Sequence, residues 1–176
     1  RNGAFNFIPK PFEVDNMLSI VKRGLGLKKD IGRNNKVVAF AKTVFELEIP
    51  SRSELLGGVI YYIMEQARLL NFHPRIISTE ILMALDEAFA NAHLHGNNGD
   101  QTKKIFSRAT IDNNKIEILI RDEGKGFDPN NIISPLSREG IERGCGRGIF
   151  LIKTYMDEVT YNDTGNEVVM VKFNRR

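Results

Sequence analysis

The sequence predicts an α+β fold, a two-layer sandwich in which one mixed, mostly antiparallel sheet carries its helices on one face. Three observations predict it. Two long apolar stripes at helical spacing, Leu56 to Leu70 and Ile81 to Ala92, lie early in the chain, while most alternating strand patterns gather from Ile105 onward. The later strands come in pairs, around Asp112-Asn113-Asn114 and Asp163-Thr164-Gly165-Asn166. A chain of 176 residues suffices for one such core and a small appendage.

Residues 1–28 form the appendage. Phe5, Phe7 and Ile8 suggest a short strand, Pro9-Lys10-Pro11 interrupts any helix, and Val14, Met17, Leu18, Val21 and Leu25 make a helical stripe. A lone strand and helix cannot bury that stripe, so it is expected to pair with a second copy or pack on the main domain. Residues 29–36 are polar and serve as the linker, and the folded domain spans 37–176. Phe45, Leu47 and Ile49 alternate with Glu46 and Glu48 in a half-buried strand ending at Pro50. Ser51 and Glu54 match a capping box before the first helical stripe. The turn at Asn71 to Arg75 leads into the second helix, which Gly96-Asn97-Asn98-Gly99 terminates. Two strands follow as a hairpin, Ile105 to Ile111 and Lys115 to Arg121. The polar stretch Glu123 to Arg147 is long enough to be a functional lid. Ile149, Ile152, Tyr155 and Met156 mark a third helix, and Glu158 to Tyr161 and Glu167 to Phe173 close the sheet.

Composition excludes several classes. Hydrophobic residues at 41% and charged residues at 27% argue against disorder and against membrane embedding. A net charge of +3, from 25 basic and 22 acidic side chains, is too small and scattered to indicate nucleic acid. The single Cys145 forms no internal disulfide, and no Cys/His cluster has zinc-site spacing, which fits a cytoplasmic location. No run approaches a membrane span and no leader opens the sequence.

The chemistry-bearing residues fall in three places. Glu87 and Asn91 are one helical turn apart, away from the apolar stripe, so an acid and an amide stand side by side. Asp122 ends a strand beside Gly124 and Gly126, where a carboxylate can accept from an exocyclic amine. Gly144-Cys145-Gly146-Arg147-Gly148 opens a helix, where backbone N–H groups can face a phosphate. Neither glycine cluster fits the dinucleotide or Walker pattern. His93 and His95 diverge on their helix, which argues against a metal pair and gives His93 a surface role. His95 either reaches the phosphates or bonds the backbone. Arg147 either touches a phosphate or is solvated.

In that order and spacing, Glu87-x-x-x-Asn91, Asp122-x-Gly-x-Gly, a lid and Gly146-x-Gly148 resemble the Bergerat-fold nucleotide site of the gyrase, chaperone, histidine kinase and mismatch-repair superfamily. From about Phe45 to Lys172 the chain is similar to anti-sigma-factor serine kinases of the RsbW type, through Ile49-Pro50-Ser51, Asp86-Glu87-Ala88, His95-Gly96, Gly148-Ile149-Phe150-Leu151-Ile152 and Met156-Asp157-Glu158-Val159. The resemblance implies ATP and Mg2+ as cofactors, with Asn91 on the metal and Glu87 as general base. It also implies that Asp122 meets adenine, that Gly124 and Gly126 shape the base pocket, and that Gly146 and Gly148 cradle phosphates. Relatives often carry a threonine near the start of the last strand, where Gly165-Asn166-Glu167-Val168 has none. The implied reaction is γ-phosphoryl transfer to a serine or threonine of an antagonist protein in a partner-switching pathway, with a sigma factor as further partner and a homodimer as the habitual state. The alternatives are a non-catalytic ATP-dependent module that sequesters a sigma factor or antagonist, and a histidine kinase catalytic domain. Residues Gly3 to Phe12 resemble the end of a response-regulator receiver domain, with Lys10 as its phosphate-sensing lysine. That resemblance implies coupling to an upstream receiver.

Overall fold

The computed structural model describes residues 40–129 and 146–175. The receiver-like segment, the Val14 to Leu25 stripe, the linker, most of the lid and Gly144 lie outside the described residues. Ala41–Arg176 cluster as one compact unit.

Strand β1 (Lys42–Pro50) alternates exposed and half-buried residues as its Phe45, Leu47, Ile49 pattern requires. Helix α1 (Ser53–Leu69) then packs Val59, Ile60, Ile63 and Ala67 inward. Its start departs from the expected capping box. Arg52 is the N-cap and no side chain caps the helix. Ser51 is fully buried instead, its hydroxyl 2.9 Å from His93 Nδ1 and its N–H donating to the Lys103 carbonyl at 2.9 Å. A tertiary bond across 42 residues therefore displaces the local one, and His93 is half-buried rather than a surface residue. The helix ends in a Schellman motif: Asn71 takes φ 60°, its N–H reaches the Arg68 carbonyl, and Phe72 N–H reaches that of Ala67.

The second helix is continuous in right-handed conformation but not uniform. Its core, α2 (Leu82–Ala90), lies between π-wound turns at Ile76–Ile81 and Asn91–Gly96. Ala84, Leu85, Ala88 and Phe89 are buried, and Phe89→Ala would cost about 3–5 kcal/mol. The widened turn begins at Asn91 and closes with Asn97 N–H on the Ala92 carbonyl at 2.8 Å. Such turns concentrate at functional sites.

Strands β2 (Lys104–Asp112) and β3 (Lys115–Asp122) form the expected hairpin, with Asp112 Oδ1 accepting from Asn114 and Lys115 N–H. Helix α3 (Arg147–Tyr155) precedes the hairpin of β4 (Glu158–Tyr161) and β5 (Glu167–Phe173). The sheet order is β1-β2-β3-β5-β4. The two-layer α+β expectation holds, and the sheet is antiparallel at all four described pairings rather than mixed. Ile105, Ala109, Ile116, Ile118, Ile120, Val168 and Met170 face the helices. The opposite face carries cross-strand pairs, including Arg108 with Glu46 and Arg121 with Glu167. At one end of the core Lys172 is buried, donating to the Tyr155 carbonyl at 2.8 Å and pairing with Glu80 at 2.5 Å and Asp157 at 3.6 Å. Among the described residues no helix is long and apolar enough to cross a membrane.

Candidate functional site

A cavity of about 600 Å³ opens between the α2 run, the start of α3 and the adjoining ends of β3, β4 and β5. Glu87, Asn91, His95, Asp122, Gly126, Gly146, Arg147 and Gly148 all line it. Three segments singled out separately in the sequence therefore meet in one place. Gly124 stands just behind this lining, against Asp122 and Gly96.

At one end Asp122 is held from several sides. Its Oδ1 accepts from Gly124 N–H at 2.8 Å. Its own N–H donates to the Asn166 carbonyl at 3.0 Å, and the Asn166 amide donates to its carbonyl at 3.2 Å. A Cβ on Gly96 would overlap the Asp122 carboxyl, and a Cβ on Gly124 would overlap the Gly96 carbonyl. Glycine at both positions lets the helix end close onto the strand end. Asn97, fully buried, fastens the same corner by donating to the Lys104 carbonyl at 2.9 Å and accepting from Glu123 N–H at 3.0 Å. Burial holds the Asp122 carboxyl above the usual carboxylate range, with the Gly124 hydrogen bond opposing it. This carboxylate is fixed in place, and among the described residues its second oxygen has no partner and is available to a hydrogen-bond donor.

The other end is less occupied. Among the described residues the side chains of Glu87, Asn91 and His95 make no hydrogen bond or ion pair, although the Asn91 main-chain N–H donates to the Glu87 and Ala88 carbonyls within the helix. Gly148 explains how α3 comes so near them, because a Cβ there would lie 2.7 Å from Glu87 Oε2 and 3.3 Å from Asn91 Oδ1. Gly146 adopts φ 80° as the N-cap, which places a left-handed residue at the turn into the helix. The first intrahelical bond runs from Phe150 N–H to the Gly146 carbonyl at 3.1 Å, so among the described residues the preceding N–H groups have no helical partner and can face an anion. Among the described residues there is no cluster of three His, Cys, Asp or Glu side chains for a metal. A lone amide oxygen beside an anion site fits magnesium, which takes few protein ligands when phosphates complete its shell. The donor set thus fits a nucleotide with its metal: a carboxylate for a base amine, an apolar floor, an amide, a free acid and a helix start.

The description "Histidine kinase-like ATPase domain" matches residues 49–172. The chain belongs to this family. Among curated proteins, this ATPase domain is 27% identical over 149 residues to the serine-protein kinase RsbW of Bacillus licheniformis, covering 77% of this chain and 89% of that one. It is 34% identical over 100 residues to the anti-sigma F factor of Oceanobacillus iheyensis, covering 53% and 68%. Among solved structures, the RsbU and RsbW domains of a Mycobacterium tuberculosis protein superpose with a TM-score of 0.52 at 13% identity. That match covers 76% of this chain and 32% of the other, and it supports the fold.

Several residues of this histidine kinase-like site escape the sequence motifs. Gly96, read in the sequence as a helix end and as part of His95-Gly96, and Asn97, read only as a helix end, also build the corner that seats Asp122. Asn166 lies in the Gly165-Asn166-Glu167-Val168 stretch, which has no threonine, and its side chain is fully oriented, with Oδ1 accepting from Asn162 Nδ2 at 2.8 Å and Thr164 Oγ1 at 2.7 Å. Phe127 and Tyr161 also line the cavity. The repeated asparagines around Gly165 were the available signal for Asn166; nothing local signals Tyr161.

Proposed function

We propose that this domain is an ATP-dependent serine/threonine protein kinase that phosphorylates an antagonist protein in a partner-switching pathway. The observation that carries the reading is the convergence of Glu87, Asn91, Asp122 and the glycine start of α3 on one cavity. The relatives named serine-protein kinase RsbW support the reaction class.

In this reading Asp122 accepts from the exocyclic amine of adenine, and the α3 N–H groups meet the phosphates. Asn91 would hold magnesium through its side-chain oxygen, and the metal would supply neutralising charge to the phosphates. Glu87 accepts the proton of the substrate hydroxyl as its oxygen bonds to the γ-phosphorus and the bond to ADP breaks. His95 and Arg147 stand at the phosphate end as further donors.

A second reading has its own support. The relatives named anti-sigma F factor favour a domain that also binds a sigma factor, and binding alone does not need Glu87. Incubation with labelled ATP and candidate antagonist proteins separates the two, with Glu87→Ala as control. Phosphoserine or phosphothreonine on an antagonist, lost in the variant, supports the kinase. Nucleotide and partner binding without any phosphorylated product refutes it. Light scattering of the full chain tests the homodimer that completes this reading.

A further inference from the structure

The cavity has a wall that the motif residues do not account for. Ile120 of β3, Val168 of β5 and Tyr161 of β4 stand in one cross-strand row, Ile120 facing Val168 and Val168 facing Tyr161. All three line the cavity. The row spans two interstrand spacings, roughly 9–10 Å. Asp122 follows Ile120 by two residues on the same face, so Asp122 and Tyr161 occupy opposite sides of an apolar floor.

Tyr161 is braced from behind. Phe127 meets its ring edge-to-face, with centroids 5.3 Å apart and planes at 72°. The Phe127 main chain is itself seated. A Cβ on Gly126 would overlap the Thr164 carbonyl and one on Gly165 would overlap the Phe127 carbonyl, while both glycines have φ near 70°, at 71° and 72°. The loop after β3 and the β4–β5 turn therefore interlock backbone to backbone. Among the described residues the Tyr161 hydroxyl makes no hydrogen bond, and burial pushes its pKa up to about 12. The phenol oxygen is still accessible to solvent, so its O–H is open to an acceptor that a ligand brings into the cavity.

Building on the nucleotide reading above, we propose that Tyr161, backed by Phe127, is a base-contacting residue that closes the cavity opposite Asp122 and bonds a purine nucleoside through its hydroxyl. The ring supplies a flat apolar surface for a heterocycle. The hydroxyl supplies a donor to a ring nitrogen or a sugar oxygen, neither of which an inorganic polyphosphate possesses.

The test uses the full chain and calorimetry with two probes, magnesium ADP and magnesium tripolyphosphate. Tyr161→Ala is expected to weaken ADP about 5- to 100-fold, the range for losing one base–aromatic contact, and to leave tripolyphosphate unchanged. Tyr161→Phe, which keeps the ring and the fold, is expected to weaken ADP about 2- to 10-fold. The chain has four tyrosines and no tryptophan, so ADP should produce a tyrosine difference spectrum that Tyr161→Phe largely removes. The proposal is overturned if Tyr161→Phe binds ADP like the wild type with the spectrum intact, or if both probes weaken equally in Tyr161→Ala. If the wild type binds no ADP, the nucleotide reading itself fails, and that outcome is distinct from the other two.

Discussion

The two ends of the cavity are built on different principles. At the Asp122 end, glycine contacts, the buried Asn97 and the half-buried Asn166 lock a carboxylate before any ligand arrives. At the Glu87 end the side chains of Glu87, Asn91 and His95 are without partners among the described residues, and only the close approach of Gly148 is fixed. The difference separates recognition from transfer. A base of constant shape is met by a rigid corner, whereas phosphates, a metal and an incoming hydroxyl need groups whose hydrogen-bonding capacity is still free.

The largest effect should come from breaking the open end. Glu87→Gln is expected to lower the rate of phosphate transfer about 10²- to 10⁴-fold, the usual contribution of a general base, with ADP affinity little changed in calorimetry. A parallel loss of ADP affinity would move Glu87 into the binding role and erase the distinction. Breaking the rigid end should do the reverse. Asp122→Asn is expected to weaken ADP by about 10- to 100-fold, as for a lost charged hydrogen bond, without lowering the melting temperature of the free protein.

The pH dependence sharpens the same contrast. Burial raises the Asp122 pKa, so its ionised form is disfavoured in the fold. Any stability linked to its protonation is present at low pH and is lost as pH rises through the folded pKa. Ligand affinity should run the other way, falling as pH drops through that raised value, because the protonated acid accepts less well from an amine. ADP titrations between neutral and mildly acidic pH should show this decline in the wild type and a flatter profile in Asp122→Asn. The smallest effect belongs to neither end. Ser107 Oγ is the one buried side-chain polar atom without a partner among the described residues, and Ser107→Ala should be neutral or stabilising by up to about 1 kcal/mol in denaturant melts.

Much of this architecture is legible in the sequence where a local pattern decides it. The stripe through Leu85 and Phe89 fixes which side of α2 is buried, and that leaves Glu87 and Asn91 facing the cavity. The Gly146-x-Gly148 spacing marks the start of α3, and the turn residues Asp112 to Asn114 mark the first hairpin. What stays hidden depends on contacts between distant segments. Ser51 looks like a helix cap because Glu54 follows it, yet a buried hydroxyl bonded to His93 is the arrangement that the packed structure adopts. The β3–β5 register brings Asn166 to Asp122, and Tyr161 reaches the cavity only because β4 pairs with β5. No period in the sequence contains those registers. The same holds for Gly96, whose missing side chain matters because Asp122 packs against it 26 residues later in the chain.

The most direct test of this division is a crystal structure of the full chain with magnesium and a non-hydrolysable ATP analogue. The account predicts the adenine amine within hydrogen-bond distance of Asp122, the metal on Asn91 Oδ1, the phosphates at the first turn of α3, and Glu87 facing the γ-phosphate. A nucleotide seated with its phosphates at Asp122, or bound outside the cavity, would contradict it.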